Sequence, residues 1–242
     1  MEEKVAVLII NWNSSAMLQR CLESVIDQED VQPEIFVLDN GSVNAIPEQF
    51  CATFPAVHFY KSDKNMGFAA GNNYLFQKTE GFAWIALVNP DAYPEPQWLK
   101  KMITAAAANP DFSCFASRLV HDTNRELLDG DGDLLHISGL AWRQGKGLPV
   151  WRGAVGTREI FSPCAAAALY KREALEAVEG FDEDFFCYFE DVDLGFRMRL
   201  AGFRCLLIPE AVVYHTGSAT TGGRHSDFAV YHGHRNMVWT YM

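Results

Sequence analysis

The chain begins, after a few polar residues, with an unbroken apolar run, VAVLIIN (5–11), that stops at Asn11-Trp12-Asn13. A strand buried on both faces of a parallel sheet reads this way. Ser14 and Ser15 stand where a helix cap belongs, and Met17, Leu18, Cys21, Leu22, Val25 and Ile26 then recur at helical spacing. EIFVLDN (34–40) predicts a second strand, VHFY (57–60) a third, residues 71–78 a short helix and FAWIALVN (82–89) a fourth strand. Pro94 and Pro96 open a helix carrying Trp98, Leu99, Met102 and Ile103. The second half is less regular. Residues 121–158, rich in Gly, Asp and Arg, predict loops or short strands. SPCAAAALY (162–170) predicts a buried strand, although its alanines suit a helix equally. Residues 190–201 have helical spacing, FRCLLIP (203–209) predicts a strong strand, and a last helix starts near Asp227.

Alternating strands and helices predict an α/β fold: a Rossmann-like, mostly parallel central sheet flanked by helices. No repeat, linker or composition break divides it, so a single domain over residues 1–242 is expected. In such sheets ligands bind at the carboxyl ends of strands. That places interest on Asn11-Trp12-Asn13, Asp39-Asn40 and Asn89-Pro90-Asp91.

Composition narrows the function. Hydrophobic residues make up 49% and charged residues 21% of 242, enough for a substantial core. A net charge of -11 repels phosphate backbones, which argues against nucleic acid as a partner and against membrane attachment through a basic patch. The N-terminal apolar run is too short for a secretory signal, and no stretch is long enough to span a bilayer; a cytoplasmic protein is expected. Cys21, Cys51, Cys114, Cys164, Cys187 and Cys205 are scattered without a C-x-x-C pair, so buried thiols are favoured over zinc or disulfides.

Neither a P-loop nor a glycine-rich dinucleotide turn is present; Gly130 and Gly132 follow no strong strand. Asp91, behind a stiffening proline, suits Mg2+ or Mn2+ held against a diphosphate, although N-P-D is good turn chemistry anywhere. In FFCYFEDVDLGFRMRLAG (185–202), Glu190, Asp191 and Asp193 open a helix. Acidic residues there favour the helix dipole. Glu190, Asp193 and Arg197 share a face, whereas Asp191 groups with Leu194, Gly195 and Met198, where desolvation would suit a general base. His215 gains weight only if the fold brings it near Asp91. His232 and His234 have metal-like spacing but suit an exposed helix start. Asp129, Asp131 and Asp133 resemble an EF-hand opening that lacks the Gly and Glu a calcium loop requires.

Together VAVLIINWNS, FVLDNGS, KNMGFAAGNN, VNPDAY, the block from EALEAVEGFDEDFFCYFEDVDLGFRMRLAG to AVVYH, and HRN near the end resemble glycosyltransferase family 2, enzymes of the GT-A fold. Within it the chain is similar to the bacterial rhamnosyltransferase branch that builds surface polysaccharides. The resemblance implies a nucleotide-sugar-binding half (1–120) and an acceptor-binding, catalytic half (121–242). Asn11, Asn13 and Asp39 would line the nucleotide pocket, with Asn65, Gly67 and Asn89 adding contacts and Arg235 and Asn236 steadying the diphosphate. Asp91 and His215 match metal ligands for Mn2+ or Mg2+, and Asp191 matches the catalytic base. Asn89 stands where the family motif usually has its first aspartate, so metal binding leans more on substrate phosphates and His215. Trp142 and Asp131, with Glu190, would meet the acceptor, although Trp142 and Trp151 serve equally as a cover for the core. The implied partners are a dTDP- or UDP-linked sugar and a glycan or lipid-linked acceptor, which would bring the protein to the inner face of the membrane. Two rivals remain at this point: a nucleotidyltransferase, which would want a glycine-rich, basic N-terminal loop, and a non-catalytic glycan-binding module.

Overall fold

The structure, a computed structural model, describes residues 4–217 and 226–240. Its first half runs β1 (Val5–Asn11), α1 (Ser15–Ile26), β2 (Glu34–Asn40), α2 (Glu48–Thr53), β3 (Val57–Ser62), α3 (Gly67–Phe76), β4 (Trp84–Val88), β5 (Ala92–Pro94) and α4 (Trp98–Ala108). There follow β6 (Cys114–His121), β7 (Leu128–Gly130), β8 (Asp133–Leu135), β9 (Ala141–Arg143), β10 (Arg158–Ile160), β11 (Ala167–Lys171), α5 (Arg172–Ala177), α6 (Glu190–Leu200), β12 (Cys205–His215) and α7 (Asp227–Trp239). The sheet order is β10-β12-β6-β11-β4-β1-β2-β3, with β5 added to β12 and β7 to β6, while β8 and β9 form a separate hairpin.

β1 shows why the apolar run is continuous. Its alternate residues Val5, Val7 and Ile9 pack with Leu18, Leu22 and Val25 of α1. Ala6, Leu8 and Ile10 face the other way, against Ala69 and Leu75 of α3. Each fully buried aliphatic side chain of this kind contributes about 1.5–3 kcal/mol. β1 pairs in parallel with β2 and β4, and β2 with β3, so the polar ends of these strands emerge together.

The structure amends several boundaries. The helix expected from residue 71 starts at Gly67. Ser14 does not cap α1; its hydroxyl donates to Asn11 Oδ1 at 2.8 Å. β6, which the sequence pattern did not announce, is a central strand between β12 and β11. Its apolar run is broken by Ser117, which accepts from buried Trp98 Nε1 at 2.8 Å, and by Arg118, which pairs with Asp131. The strand expected to stop near Pro209 continues to His215, passing Pro209 by an irregularity between Ile208 and Val212. That extension matters, because β12 pairs with β5 in a register that sets His215 opposite Ala92, next to Asp91 in sequence. Among the described residues no helix is long and apolar enough to cross a membrane, and the six cysteines are free.

Candidate active site

The carboxyl ends of β1, β2 and β4 open into a cleft of about 790 Å³, closed on the far side by the start of α6 and by β9. Asn11 and Asp39 form its underlying frame. Asn11 Nδ2 donates to Asp39 Oδ1 at 3.3 Å, and Asp39 Oδ2 accepts from the Ile46 amide at 2.8 Å. Asn13, in the left-handed region at φ 54°, accepts from the Val43 amide and donates its own amide to Ser42. These three side chains thus fasten the 42–46 loop, while their neighbours Ile10, Trp12 and Asn40 line the cleft. Asn40 bridges to Asn65 Oδ1 and to the Gly67 carbonyl, and Asn65 and Gly67 reach the cleft wall beside it. Gly67 has a reason of its own: at φ 86°, an added Cβ would fall 2.6 Å from the Phe186 ring and carbonyl.

One wall holds Asp91 and His215. The N-P-D turn is closed by the Ala92 amide on the Asn89 carbonyl, and the Asn89 amide donates to Ala166. Asp91 is 6% and His215 5% exposed, and His215 Nε2 lies 3.4 Å from Asp91 Oδ1. The other ring nitrogen, Nδ1, is 2.7 Å from Asp129 Oδ2. A carboxylate can only accept, so Nδ1 carries a proton and Nε2 is the atom turned to Asp91. Burial disfavours charge on this ring, but hydrogen bonds to Asp129 and Asp91 and their charges outweigh it and raise the His215 pKa. Burial likewise opposes charge on Asp129, yet His215, Arg143 and Lys146 hold its pKa well below the usual range. A histidine backed by a carboxylate on one nitrogen and facing a second carboxylate with the other is the donor set of a metal-binding histidine. Asp91 and His215 therefore fit a divalent cation that takes its remaining oxygens from phosphates.

The opposite wall is the first turn of α6. Asp191 Oδ2 accepts from the Ala165 amide at 3.2 Å and Oδ1 from the Val192 amide at 2.9 Å, and the residue lines the cleft. Glu190 is buried beside it with one carboxyl oxygen lacking a partner. Burial, then the Asp191 charge, raises the Glu190 pKa well above the ordinary value. Asp193 instead pairs with Arg197 at 2.8 Å along the helix. Asp133, Cys164 and Asp191 also place ligand atoms within 4.8 Å of one another. This trio is poorly suited to a cation, because Arg143 already stands there, donating to Cys164 Sγ at 2.7 Å and lying 3.5 Å from Asp133. Burial also raises the Cys164 pKa far above normal, whereas a metal-binding thiol must be ionised.

Between Phe185 and α6 the backbone is strained. Phe186, Tyr188 and Phe189 have φ of 64°, 66° and 66°, a region costly for bulky residues. Strong anchoring holds it. Asn236, fully buried in α7, donates to the carbonyls of Phe185, Cys187 and Tyr188, and Arg235 donates to those of Asp184 and Phe185. The amides of Phe68 and Ala69 complete the clamp on the Phe186 carbonyl.

The structure thus corrects the sequence reading of the Arg235–Asn236 pair: its side chains grip this loop and do not line the cleft. Asp131 is a second correction. It is 1% exposed, with its carboxylate taken up by Arg118 and the Ala154 amide, and it is not among the residues that line the cleft. His232 and His234 lie within α7, not at its start, and His232 stacks on Phe186 with ring centres 5.3 Å apart. Trp142 does line the cleft, half exposed, whereas Trp151 stands outside it, 76% exposed. Asp129, Asp133 and Arg143 were not singled out as site residues. The only signal was the density of charge in 129–146, which has no periodicity to reveal a partner.

A parallel β1–β4 block joined to a mixed sheet, with an Asp–His pair and a helix-start carboxylate across one cleft, is the arrangement expected of a GT-A glycosyltransferase. The solved structures agree on the fold. The chain matches GalNAc-T7, crystallised with UDP, GalNAc and Mn2+, at TM-score 0.72 and 15% identity over 88% of its length and 43% of that chain. It matches TarS of S. aureus at TM-score 0.65 and 15% identity over 89% of its length and 37% of that chain. The glycosyl transferase family 2 model matches residues 6–178, and the chain belongs to that family. Its relatives include the N-acetylglucosaminyl-diphospho-decaprenol L-rhamnosyltransferase of Mycobacterium tuberculosis, 24% identical over 92% of this chain and 79% of that protein. The O-antigen biosynthesis protein RfbC of Myxococcus xanthus is 24% identical over 90% of this chain, which spans 18% of that protein. The chondroitin synthase of Escherichia coli is 26% identical over 74% of this chain, which spans 24% of that protein.

Proposed function

We propose that the chain transfers a sugar, with inversion, from a nucleoside-diphosphate donor to a hydroxyl of a glycan or lipid-linked acceptor during surface polysaccharide synthesis. The observation that carries this reading is the approach of His215 to Asp91, 3.4 Å apart on one wall of the cleft whose other wall presents Asp191. Asp91 and His215 would hold Mn2+ or Mg2+, which neutralises charge on the departing diphosphate. Asp191, fixed by the Ala165 amide, accepts the acceptor's proton as its oxygen forms the new bond and the phosphate oxygen leaves. Inversion follows from a single displacement. Of the neighbouring carboxyls, Glu190 has its pKa raised by burial, which disfavours the ionised form a nucleophile needs, and Asp133 is turned to Arg143.

Rhamnose as the sugar is favoured by the mycobacterial relative, an L-rhamnosyltransferase that aligns over most of both chains, and dTDP is the carrier we propose for it. That relative's decaprenol-linked substrate also favours a lipid-linked acceptor, and with it work at a membrane surface. A thermal-shift screen of dTDP-rhamnose, UDP-glucose and UDP-N-acetylglucosamine with and without Mn2+ tests the donor. The true donor raises the midpoint most, and Mn2+ enlarges the rise. Equal, metal-independent shifts for every nucleotide-sugar would remove this reading.

A further inference from the structure

Arg143 lines the cleft and reaches groups that stand behind both of its walls. From β9 its guanidinium donates to Asp129 Oδ2 at 2.8 Å and to Cys164 Sγ at 2.7 Å, and its Nε lies 3.5 Å from Asp133 Oδ1. Asp129 is the carboxylate behind His215. Asp133 and Cys164 are the groups that place an oxygen or sulfur within 4.8 Å of a carboxylate oxygen of Asp191. The metal wall and the base wall are built from distant segments, β5 and β12 on one side and α6 on the other, and this single side chain spans them.

The backbone is shaped to admit it. Gly130 lies beneath the Arg143 stem, and a Cβ there would fall 2.1 Å from Cγ and 2.2 Å from Cδ. Leaving out that side chain in β7 gives the guanidinium a fixed path between its partners. The charge count explains why one is needed. Asp133 sits next to Glu190 and Asp191 from α6 and is itself buried, while Cys164 and Tyr170 from the strand side carry no charge. Arg143 is the cation facing this group. Lys146 pairs with Asp129.

We propose that Arg143 is the positioning residue of the site. It locks Asp129 behind His215 and supplies the counter-charge for the Asp133–Asp191 pair, so that the ligand wall and the base wall are set by one group. The inference rests on the sugar-transfer reading for its purpose, but its test does not. The whole chain is labelled with 13C at aspartate carboxyls, and the Asp133 signal, assigned through D133N, is followed against pH. Replacing Arg143 by Met moves the Asp133 titration upward by about one unit or more, as loss of an opposite charge at this range requires. R143K, which keeps the charge, leaves it near the parent's. Gly130→Ala, which displaces the stem without touching the guanidinium, moves it in the same direction as R143M.

The ligand wall has its own readout. Mn2+ uptake, followed by electron paramagnetic resonance, weakens about tenfold in both R143M and R143K, because lysine cannot reproduce the fork that holds Asp129. A merely structural arginine would give variants with lower melting midpoints but an unmoved carboxyl titration, and that result overturns the proposal. Mn2+ uptake that is absent from the parent, or equal in all variants, overturns its metal half. If instead the titration moves as stated while D191N turns over at the parent's rate, the sugar-transfer reading of Asp191 fails and the coupling stands.

Discussion

At the scale of single residues, the account makes Asp191 the proton acceptor and Asp91 and His215 the metal grip. Asp191→Asn keeps the size and one of the two amide contacts but cannot take a proton. Turnover falls by about 10²–10⁴-fold with little change in melting midpoint, and steady-state kinetics beside a thermal melt check both halves. Asp133 gives a pH signature of its own. Burial raises its pKa from 3.8 to about 7, Arg143 opposing and Asp191 adding to the rise. Between those values the folded chain holds a proton that the unfolded chain has lost. This contribution to stability is therefore full in acid, declines as pH rises from about 4 to about 7, and is gone above that. Asp133→Asn removes that slope, and urea midpoints of parent and variant across the range show it as their difference. A slope unchanged in the variant would place the proton elsewhere. Asp91, Asp191 and His215 were legible as candidates to be placed in one cleft because they sit at the ends of periodic segments and within matching motifs. Asp129, Asp133 and Arg143 were not, because their significance lies in cross-strand meetings that no spacing records.

At the scale of elements, the loop before α6 and the helix that holds it act together. Asn236 satisfies three carbonyls of a backbone in the left-handed region. Asn236→Ala removes this donor from all three, the Phe185 carbonyl keeping Arg235, and destabilises the fold by about 1–3 kcal/mol. Hydrogen exchange at 186–193 rises more than in β1, and turnover drops because Asp191 stands on the helix that this loop starts. Uniform exchange across the chain would show that α7 is only a cover. The same loop explains Gly67: Gly67→Ala meets the Phe186 carbonyl at 2.6 Å and a positive φ together. Strands β1, β2 and β4 could be read from the sequence because both their faces are apolar. β6 could not, because Ser117 and Arg118 interrupt it with polar groups whose partners, Trp98 and Asp131, lie elsewhere. The extent of β12 was hidden by Pro209, which the strand passes through an irregularity. That extension is what carries His215 to the cleft.

For the molecule as a whole, the sheet order brings together residues that lie 91, 191 and 215 positions along the chain, and the proposed function rests on that convergence. Chelation with EDTA is expected to abolish turnover and added Mn2+ or Mg2+ to restore it, with the melting midpoint of the donor-free chain changing little. The α/β class and the family were readable from strand-end motifs in their order, whereas the antiparallel β11 between β4 and β6 was not, since alanines in 165–168 suit a strand or a helix alike. Two places in the cleft present metal-capable atoms, the Asp91–His215 pair and the Asp133–Cys164–Asp191 trio. Anomalous diffraction at the manganese edge, from crystals grown with Mn2+ and UDP, separates them directly. The account predicts one peak bridging Asp91 and His215 Nε2 to the diphosphate. A peak seated instead on Asp133, Cys164 and Asp191 would contradict it, because the carboxylate assigned to take the proton would then be bound to the metal.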